Sequence, residues 1–281
     1  MNYRHAFHAG NFADVIKHAT LARILTHLAE KPAAFRVIDT HAGAGRYDLT
    51  GPEASRTGEW REGIARLLAA DLAPAVRALL APYLDAVAAL NPGGQLKTYP
   101  GSPALVQALL RDQDRLVACE REPDAAQALA AFVHGDARLK AVEIDGYTAL
   151  NAYVPPKERR GLVLIDPPYE QPDELARLSD ALAGAHRKWP TGIYALWYPI
   201  KDMRETAAFA RRIVATGIAR VLRTELLLPR TDERLRGSGL ILVNPPWRLE
   251  AELGVLLPAL AQAFGAVQGG ATRLDWLAGE K

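Results

Sequence analysis

The sequence predicts an α/β fold with a mostly parallel, doubly wound sheet. Three features carry that expectation: strands alternate with helical segments over most of the chain, a glycine-rich turn closes an early strand, and Gly161-Leu162-Val163-Leu164-Ile165 is apolar almost without a break. A strand apolar at every position is covered on both faces, as internal parallel strands are. A length of 281 residues suits one large domain, or one domain carrying an insertion.

The elements follow in order. Residues 1–11 are rich in histidine and end at Gly10-Asn11. Asn11 is suited to cap a helix, with Asp14 in the first turn at the positive end of its dipole. That helix runs to about Lys31, where Pro32 stops it, and Ile16, Leu21, Ile24, Leu25 and Leu28 share one face. Phe35 to Ile38 reads as a strand and runs straight into Asp39-Thr40-His41-Ala42-Gly43-Ala44-Gly45. Residues 46–98 then break the alternation. Helical patterns over 60–70 and 74–90 end at Asn91-Pro92-Gly93-Gly94, so 49–95 reads as a small helical insertion in a domain made of 1–48 and 96–281.

The alternation resumes with a helix from Ser102 to about Arg111, a strand over 116–119 ending at Glu120, a helix over 123–133, and a strand over 139–144 ending at Asp145-Gly146. A basic loop, 155–160, precedes the apolar strand 161–165. Beyond Tyr169 come a helix (172–187), a strand (192–198), a helix (201–216), a strand (219–228) and a last strand (240–243). The closeness of the final two strands predicts an antiparallel hairpin at one edge of the sheet.

Composition narrows the class. About half of the residues are apolar and 23% are charged, a globular balance. No apolar run approaches the ~18–20 residues of a membrane-spanning helix, and the opening residues carry no apolar signal segment. Cys119 is the one cysteine, which excludes an intrachain disulfide and fits a reducing cytoplasm. The net charge of +2 neither requires nor excludes nucleic acid.

The chemistry is concentrated at strand ends. Gly43 lies where close backbone approach lets a ligand dock. A dinucleotide fingerprint would need a third glycine at position 48, which is Asp48, so a nicotinamide enzyme is poorly supported. Glu120 stands where a carboxylate can accept ribose hydroxyls, and Asp145-Gly146 where a side chain and an amide can meet an adenine edge. Asp166-Pro167-Pro168-Tyr169 is the most specific motif. Its prolines fix an extended turn that aims the Asp166 carboxylate and the Pro167 carbonyl into one crevice. Two acceptors suit the two N–H groups of an amino nitrogen, and the Tyr169 ring offers a face for a planar base. The ordered series predicts a Rossmann-like methyltransferase that uses S-adenosylmethionine. On the first helix, Lys17 is placed to balance the cofactor carboxylate and His18 to donate a hydrogen bond to it. Asn244-Pro245-Pro246-Trp247 repeats the motif's shape but falls late in the chain, and is assigned to the edge hairpin. His5 and His8 have the spacing of a metal pair without a nearby cysteine, and no metal site is expected.

The segments Tyr3-Arg4-His5, Phe7-His8-Ala9-Gly10-Asn11, Ala13-Asp14, Lys17-His18, Asp39 to Tyr47, Tyr99, Gly101-Ser102-Pro103 and Asp166 to Tyr169 resemble the RlmJ family over the whole chain. The resemblance implies a monomeric, Rossmann-like 23S ribosomal RNA adenine-N6 methyltransferase. It also implies cofactor contacts at His18, His41, Ser102, Glu120, Asp145, Gly146 and Asp166, with Asp166 as catalytic acceptor and Tyr3 near the target base. For RNA, Arg4, Arg56, Arg61, the 157–160 loop and Arg230, Arg234 and Arg236 are candidate phosphate contacts. Amino methylation of DNA adenine or protein glutamine is the alternative chemistry, and a non-catalytic RNA-binding module the alternative class.

Overall fold

The computed structural model describes residues 4–229, 235–266 and 271–279. Helix α1 (Phe12–Ala29) leads into β1 (Arg36–Asp39). A short strand, β2 (Arg46–Asp48), is followed by α2 (Pro52–Thr57), α3 (Glu59–Glu62), α4 (Ile64–Ala69) and α5 (Pro74–Ala89). Strand β3 (Thr98–Pro100) then returns to pair antiparallel with β2. The remaining elements are α6 (Ser102–Leu109), β4 (Arg115–Glu120), α7 (Pro123–Val133), β5 (Leu139–Glu143), α8 (Gly146–Tyr153), β6 (Gly161–Ile165), α9 (Glu174–Lys188), β7 (Ile193–Ile200), α10 (Met203–Ala215), β8 (Val221–Leu227), β9 (Gly237–Val243), α11 (Leu249–Ala263) and β10 (Thr272–Ala278).

The main sheet has the order β10-β8-β9-β7-β6-β1-β4-β5. Strands β5, β4, β1, β6 and β7 are parallel, whereas β9 runs against both β7 and β8, and β10 against β8. The chain leaves β1 for β4 and β5, then crosses back to β6 on the other side of β1. This reversal opens a crevice above the carboxyl ends of β1 and β6.

The apolar strand sits centrally, as expected. Leu162 and Leu164 enter the core on the α1 side, while Val163 and Ile165 enter the core under α9 and α10. All four are at most 1% exposed, each stabilising the fold by roughly 1.5–3 kcal/mol through burial.

Helix α1 differs from its expected one-sided form. Every residue from Phe12 to Leu25 is buried, polar ones included, because α5, α6, α11 and β9 surround it. Its cap is the expected one: the Asn11 side chain accepts from the Asp14 amide at 2.9 Å. The antiparallel edge is broader than the hairpin predicted from sequence. Strand β8 is not the rim, because α11 and β10, absent from the sequence reading, follow and β10 covers it. Pro258 inside α11 weakens the helical signal there. Helices α2 to α5 lie between the ribbon strands β2 and β3 and dock against the N-terminal segment. Gly63 permits that contact, since a Cβ there would fall 2.1 Å from the Gly10 carbonyl oxygen.

Candidate active site

The carboxyl ends of β1, β4, β5 and β6 bring His41, Gly43, Glu120, Asp145, Gly146 and Asp166 around one cleft of about 670 Å³, with Lys17 and His18 from α1 and Ser102 from α6. A second cleft of about 620 Å³ is lined by Asp14, Pro167, Tyr169, Trp197, Pro199 and Lys201, among others. His5, Lys17, Asp166 and Pro168 border both. The volumes are those of small-molecule sites, and Asp166 stands where the two clefts meet.

A buried charge network holds this junction. The Lys17 ammonium lies between Asp14 Oδ1, at 2.8 Å, and Asp166 Oδ2, in a short contact. Burial pushes the Lys17 ammonium down, but the two carboxylates together outweigh it and raise its pKa, so it stays charged. Burial likewise opposes the Asp14 carboxylate, yet His5 and Lys17 hold it well below its ordinary range. Asp14 also accepts from the Gly10 amide at 2.9 Å and bonds His5 Nε2 at 3.0 Å. The lysine expected to face a cofactor carboxylate is thus engaged by two of the protein's own.

His18 and His41 are neutral. Burial lowers His18 to about 3, and its Nδ1 bonds the Tyr99 hydroxyl at 2.8 Å. Burial lowers His41 to about 4. Its Nδ1 lies 2.8 Å from Thr40 Oγ1, and that hydroxyl donates to the Leu164 carbonyl at 3.0 Å. The single Thr40 proton is therefore spent, so His41 Nδ1 carries the hydrogen and Nε2 is left as an acceptor.

Each remaining cleft residue has a structural partner. Ser102 donates to Asp39 at 2.6 Å. Burial pushes the Asp39 carboxyl up to about 7, the Asp166 charge adds to this, and the Ser102 bond moderates it. Glu120 Oε1 accepts from the amides of Arg121 and Glu122, and Oε2 from that of Gly43 at 2.8 Å. Three of roughly four acceptor positions are filled, so one remains for a ligand hydroxyl. Asp145 caps α8 through the Thr148 amide at 3.0 Å and faces Arg177 at 3.7 Å. Opposed by burial, these contacts lower its pKa. Gly43 adopts φ +63°, and a Cβ there would strike the Tyr47 hydroxyl. The turn enters strand β2 rather than a helix, so it offers no helix N-terminus to a pyrophosphate.

Sequence reading missed Tyr147, Arg177 and Trp197. The Arg177 guanidinium stacks 4.0 Å from the Tyr147 ring centre at the first cleft. Trp197 meets the Tyr169 ring edge-on at 5.6 Å, and its carbonyl accepts the Tyr169 hydroxyl in a short bond. Tyr169 holds φ +53° there, a strained left-handed conformation for an aromatic residue. Only the period of two along β7, which places Trp197 and Pro199 on one face, carried a signal of this wall.

Other expected positions fall elsewhere. Tyr3, Arg230 and Arg234 lie outside the described residues. Arg4 borders the first cleft and pairs with Asp124 at 3.0 Å. Arg56 lies over the Phe7 ring and Arg61 over Trp60. The basic 157–160 loop precedes β6 and therefore lies at the opposite end of the sheet, away from both clefts. There Glu158 pairs with Arg36 at 2.8 Å, and Arg160 donates to the Ala33 carbonyl at 2.9 Å. Asn244-Pro245-Pro246-Trp247 lies at that same end, because β9 runs backwards. The Asn244 amide group donates to the carbonyls of Pro190 and Gly192, just before β7, at 2.8 Å each.

A reversed strand between two parallel ones, acidic strand ends and a proline-fixed turn at the switch point define a Rossmann-like methyltransferase. The family described as "Ribosomal RNA large subunit methyltransferase D, RlmJ" matches residues 32–278. Two proteins named Ribosomal RNA large subunit methyltransferase J are similar to it. That of Escherichia coli K12 is 42% identical and that of Haemophilus influenzae 38%, each alignment covering 100% of both chains. A crystal structure from Legionella pneumophila superposes with a TM-score of 0.87 at 35% identity, covering 98% of this chain and 99% of that one. The chain belongs to the RlmJ family.

Proposed function

We propose that this protein transfers a methyl group from S-adenosylmethionine to the N6 amino nitrogen of an adenine in 23S ribosomal RNA. Family membership supports the reaction and the RNA. The observation that carries the assignment to this site is the position of Asp166 at the junction of two clefts, one suited to the cofactor and the other to the base.

The residues of the first cleft fit S-adenosylmethionine chemically. Glu120 keeps one acceptor position for a ribose hydroxyl, neutral His41 keeps Nε2, and the Gly43 turn is open to close approach. When bound, the cofactor supplies an electrophilic methyl on a sulfonium sulfur. The adenine N6 lone pair is conjugated with the ring and is a weak nucleophile. Lys17 fixes one oxygen of Asp166, leaving the other, with the Pro167 carbonyl, to accept the N6 hydrogens. Drawing on those hydrogens would free the lone pair to take the methyl, the N–C bond replacing the methyl's bond to sulfur, and the surplus N6 proton would pass by way of the Asp166 carboxylate to water. This is positioning and electrostatics more than strong-base chemistry. Tyr169, pinned by Trp197, supplies the face against which an unstacked base rests. Tyr3 and Arg4 belong to the base and RNA side of this reading. We further propose that the protein acts as a monomer in the cytoplasm. Among the described residues no helix is long and apolar enough to cross a membrane.

The test is transfer of labelled methyl to protein-free 23S RNA, duplex DNA and a glutamine peptide. Label on the RNA alone, recovered as N6-methyladenosine by mass spectrometry, is expected. Label on DNA with none on RNA would overturn the reading.

A further inference from the structure

Most cations bordering the clefts already have a carboxylate. Lys17 has Asp14 and Asp166, Arg4 has Asp124, and Arg177 faces Asp145. Two others differ. Lys201 and Arg236 line the second cleft, both are exposed, and neither takes part in an ion pair among the described residues. They are also neighbours. Strands β7 and β9 pair Pro199 with Ser238 and end on Ile200 with Gly237; Lys201 follows the first of that last pair and Arg236 precedes the second, so both stand at the same end of the ladder. Like charges gathered at one end of a strand pair repel each other. Two cations held side by side without a counter-charge are a site waiting for an anion.

Their place relative to the base wall fixes which anion. Trp197 and Pro199 alternate along β7, Lys201 follows just beyond its end, and all three line the second cleft. The row runs from the aromatic wall behind Tyr169 to the cation pair over roughly 13 Å of strand. That span reaches from a stacked base across its sugar to an adjoining phosphate. Asp14, Glu59 and Asp166 also line this cleft, so an anion is disfavoured beside them and favoured at the exposed Lys201 and Arg236. Trp197 is itself held in place, with its indole N–H donating to Ser238 Oγ at 2.9 Å, two residues from Arg236.

We infer that Lys201 and Arg236 form a clamp for the RNA backbone phosphate next to the target adenosine. The clamp rests on the proposed reaction for its substrate, and on the β7/β9 register for its geometry. Contacts to phosphate position a nucleic acid without reading its sequence. Their signature is therefore weaker RNA binding with a shallower salt dependence, leaving the chemical step alone.

The experiment compares the wild-type chain with Lys201→Ala/Arg236→Ala and with the charge-preserving Lys201→Arg. Methyl transfer to transcribed 23S RNA is measured at several salt concentrations. Binding of a single-stranded oligoadenylate is followed by fluorescence anisotropy over the same range. The double variant should raise KM for the RNA about 10- to 100-fold and change kcat less than about twofold. It should lower the slope of log affinity against log salt by about 0.7 per lost contact. Lys201→Arg should stay near wild type, and S-adenosylmethionine affinity should be unchanged throughout. An unchanged KM and salt slope in the double variant overturns the clamp, as does a loss confined to kcat. If the wild-type chain methylates no 23S RNA, the proposed substrate fails, and the oligoadenylate salt slope then decides the clamp by itself.

Discussion

The two ends of the central sheet carry nearly the same four letters and use them differently. At one end Asp166-Pro167-Pro168-Tyr169 follows a parallel strand and opens into two clefts beside Lys17. At the other, Asn244-Pro245-Pro246-Trp247 follows β9, which runs backwards, and the Asn244 side chain is spent on the carbonyls of Pro190 and Gly192. The prolines terminate a strand in both places. What separates the candidate active site from a brace is the direction of the strand that delivers the motif, because direction decides whether the turn meets the switch point.

That contrast breaks most sharply on Asp166. Asp166→Ala should lower single-turnover methyl transfer about 100- to 1,000-fold, a loss typical of removing a preorganised polar group from the reacting centre. Asn244→Ala should leave transfer per folded molecule unchanged. Comparable losses in the two variants would erase the distinction between the ends.

A smaller effect separates the ends by pH. His18 and His41 are held near 3 and 4 in the fold, against an ordinary value of 6.5. A histidine with a depressed folded pKa contributes stability that is present above pH 6.5 and lost as pH falls toward the folded value. Between pH 7 and 5 each therefore costs up to about 2 kcal/mol. Asp39, raised to about 7, works in the opposite direction, its stability being lost as pH rises through that value, and it returns up to about 2 kcal/mol over the same interval. Urea denaturation should show a net loss of about 2 kcal/mol from pH 7 to pH 5. His41→Asn should flatten that loss and Asn244→Ala should not. A flat profile in the unaltered protein would contradict the burial of these groups.

At the bracing end the effects shrink. Asn244→Ala removes two hydrogen bonds, and Asn244 holds φ +52°, which alanine adopts less readily, so a loss of about 1–3 kcal/mol is expected by the same denaturation. Trp247 is 81% exposed, and Trp247→Ala should change stability by less than about 0.5 kcal/mol and transfer not at all. A large stability loss there would mean that the last motif residue is more than the surface end of a brace.

The sequence made the active end legible because its residues cluster at strand ends, where a change from apolar run to turn is visible in one dimension. Gly43, Glu120, Asp145 and Asp166 each follow such a change. Arg177 lies within α9 and Tyr147 within α8, where helical periodicity conceals them, and only the packing of two helices beside the sheet brings them to the cleft. The reversed direction of β9 was half legible. Closeness in sequence indicated an antiparallel pair, but its insertion between β7 and β8 is a property of the whole sheet. Helix α11 and β10 went unread because Pro258 interrupts one and the other is a single short alternating run near the chain's end. The basic loop at 157–160 shows the opposite failure: charge was plain, and its position before β6 turned it away from the clefts.

Helix α1 is made early and finished late. It carries Asn11, Asp14, Lys17 and His18, and it is sheathed by elements from both halves of the chain. Arg23 and His27 reach Glu252 of α11 at 2.9 and 3.0 Å, across more than two hundred residues of sequence. A chain leaving the ribosome N-terminus first has made the lysine that grips Asp166 long before the partners that bury its helix exist. During synthesis the strand ends can form their crevice while α1 still lacks α11. The helix that carries Lys17 therefore gains its full sheath only once α11 has been made.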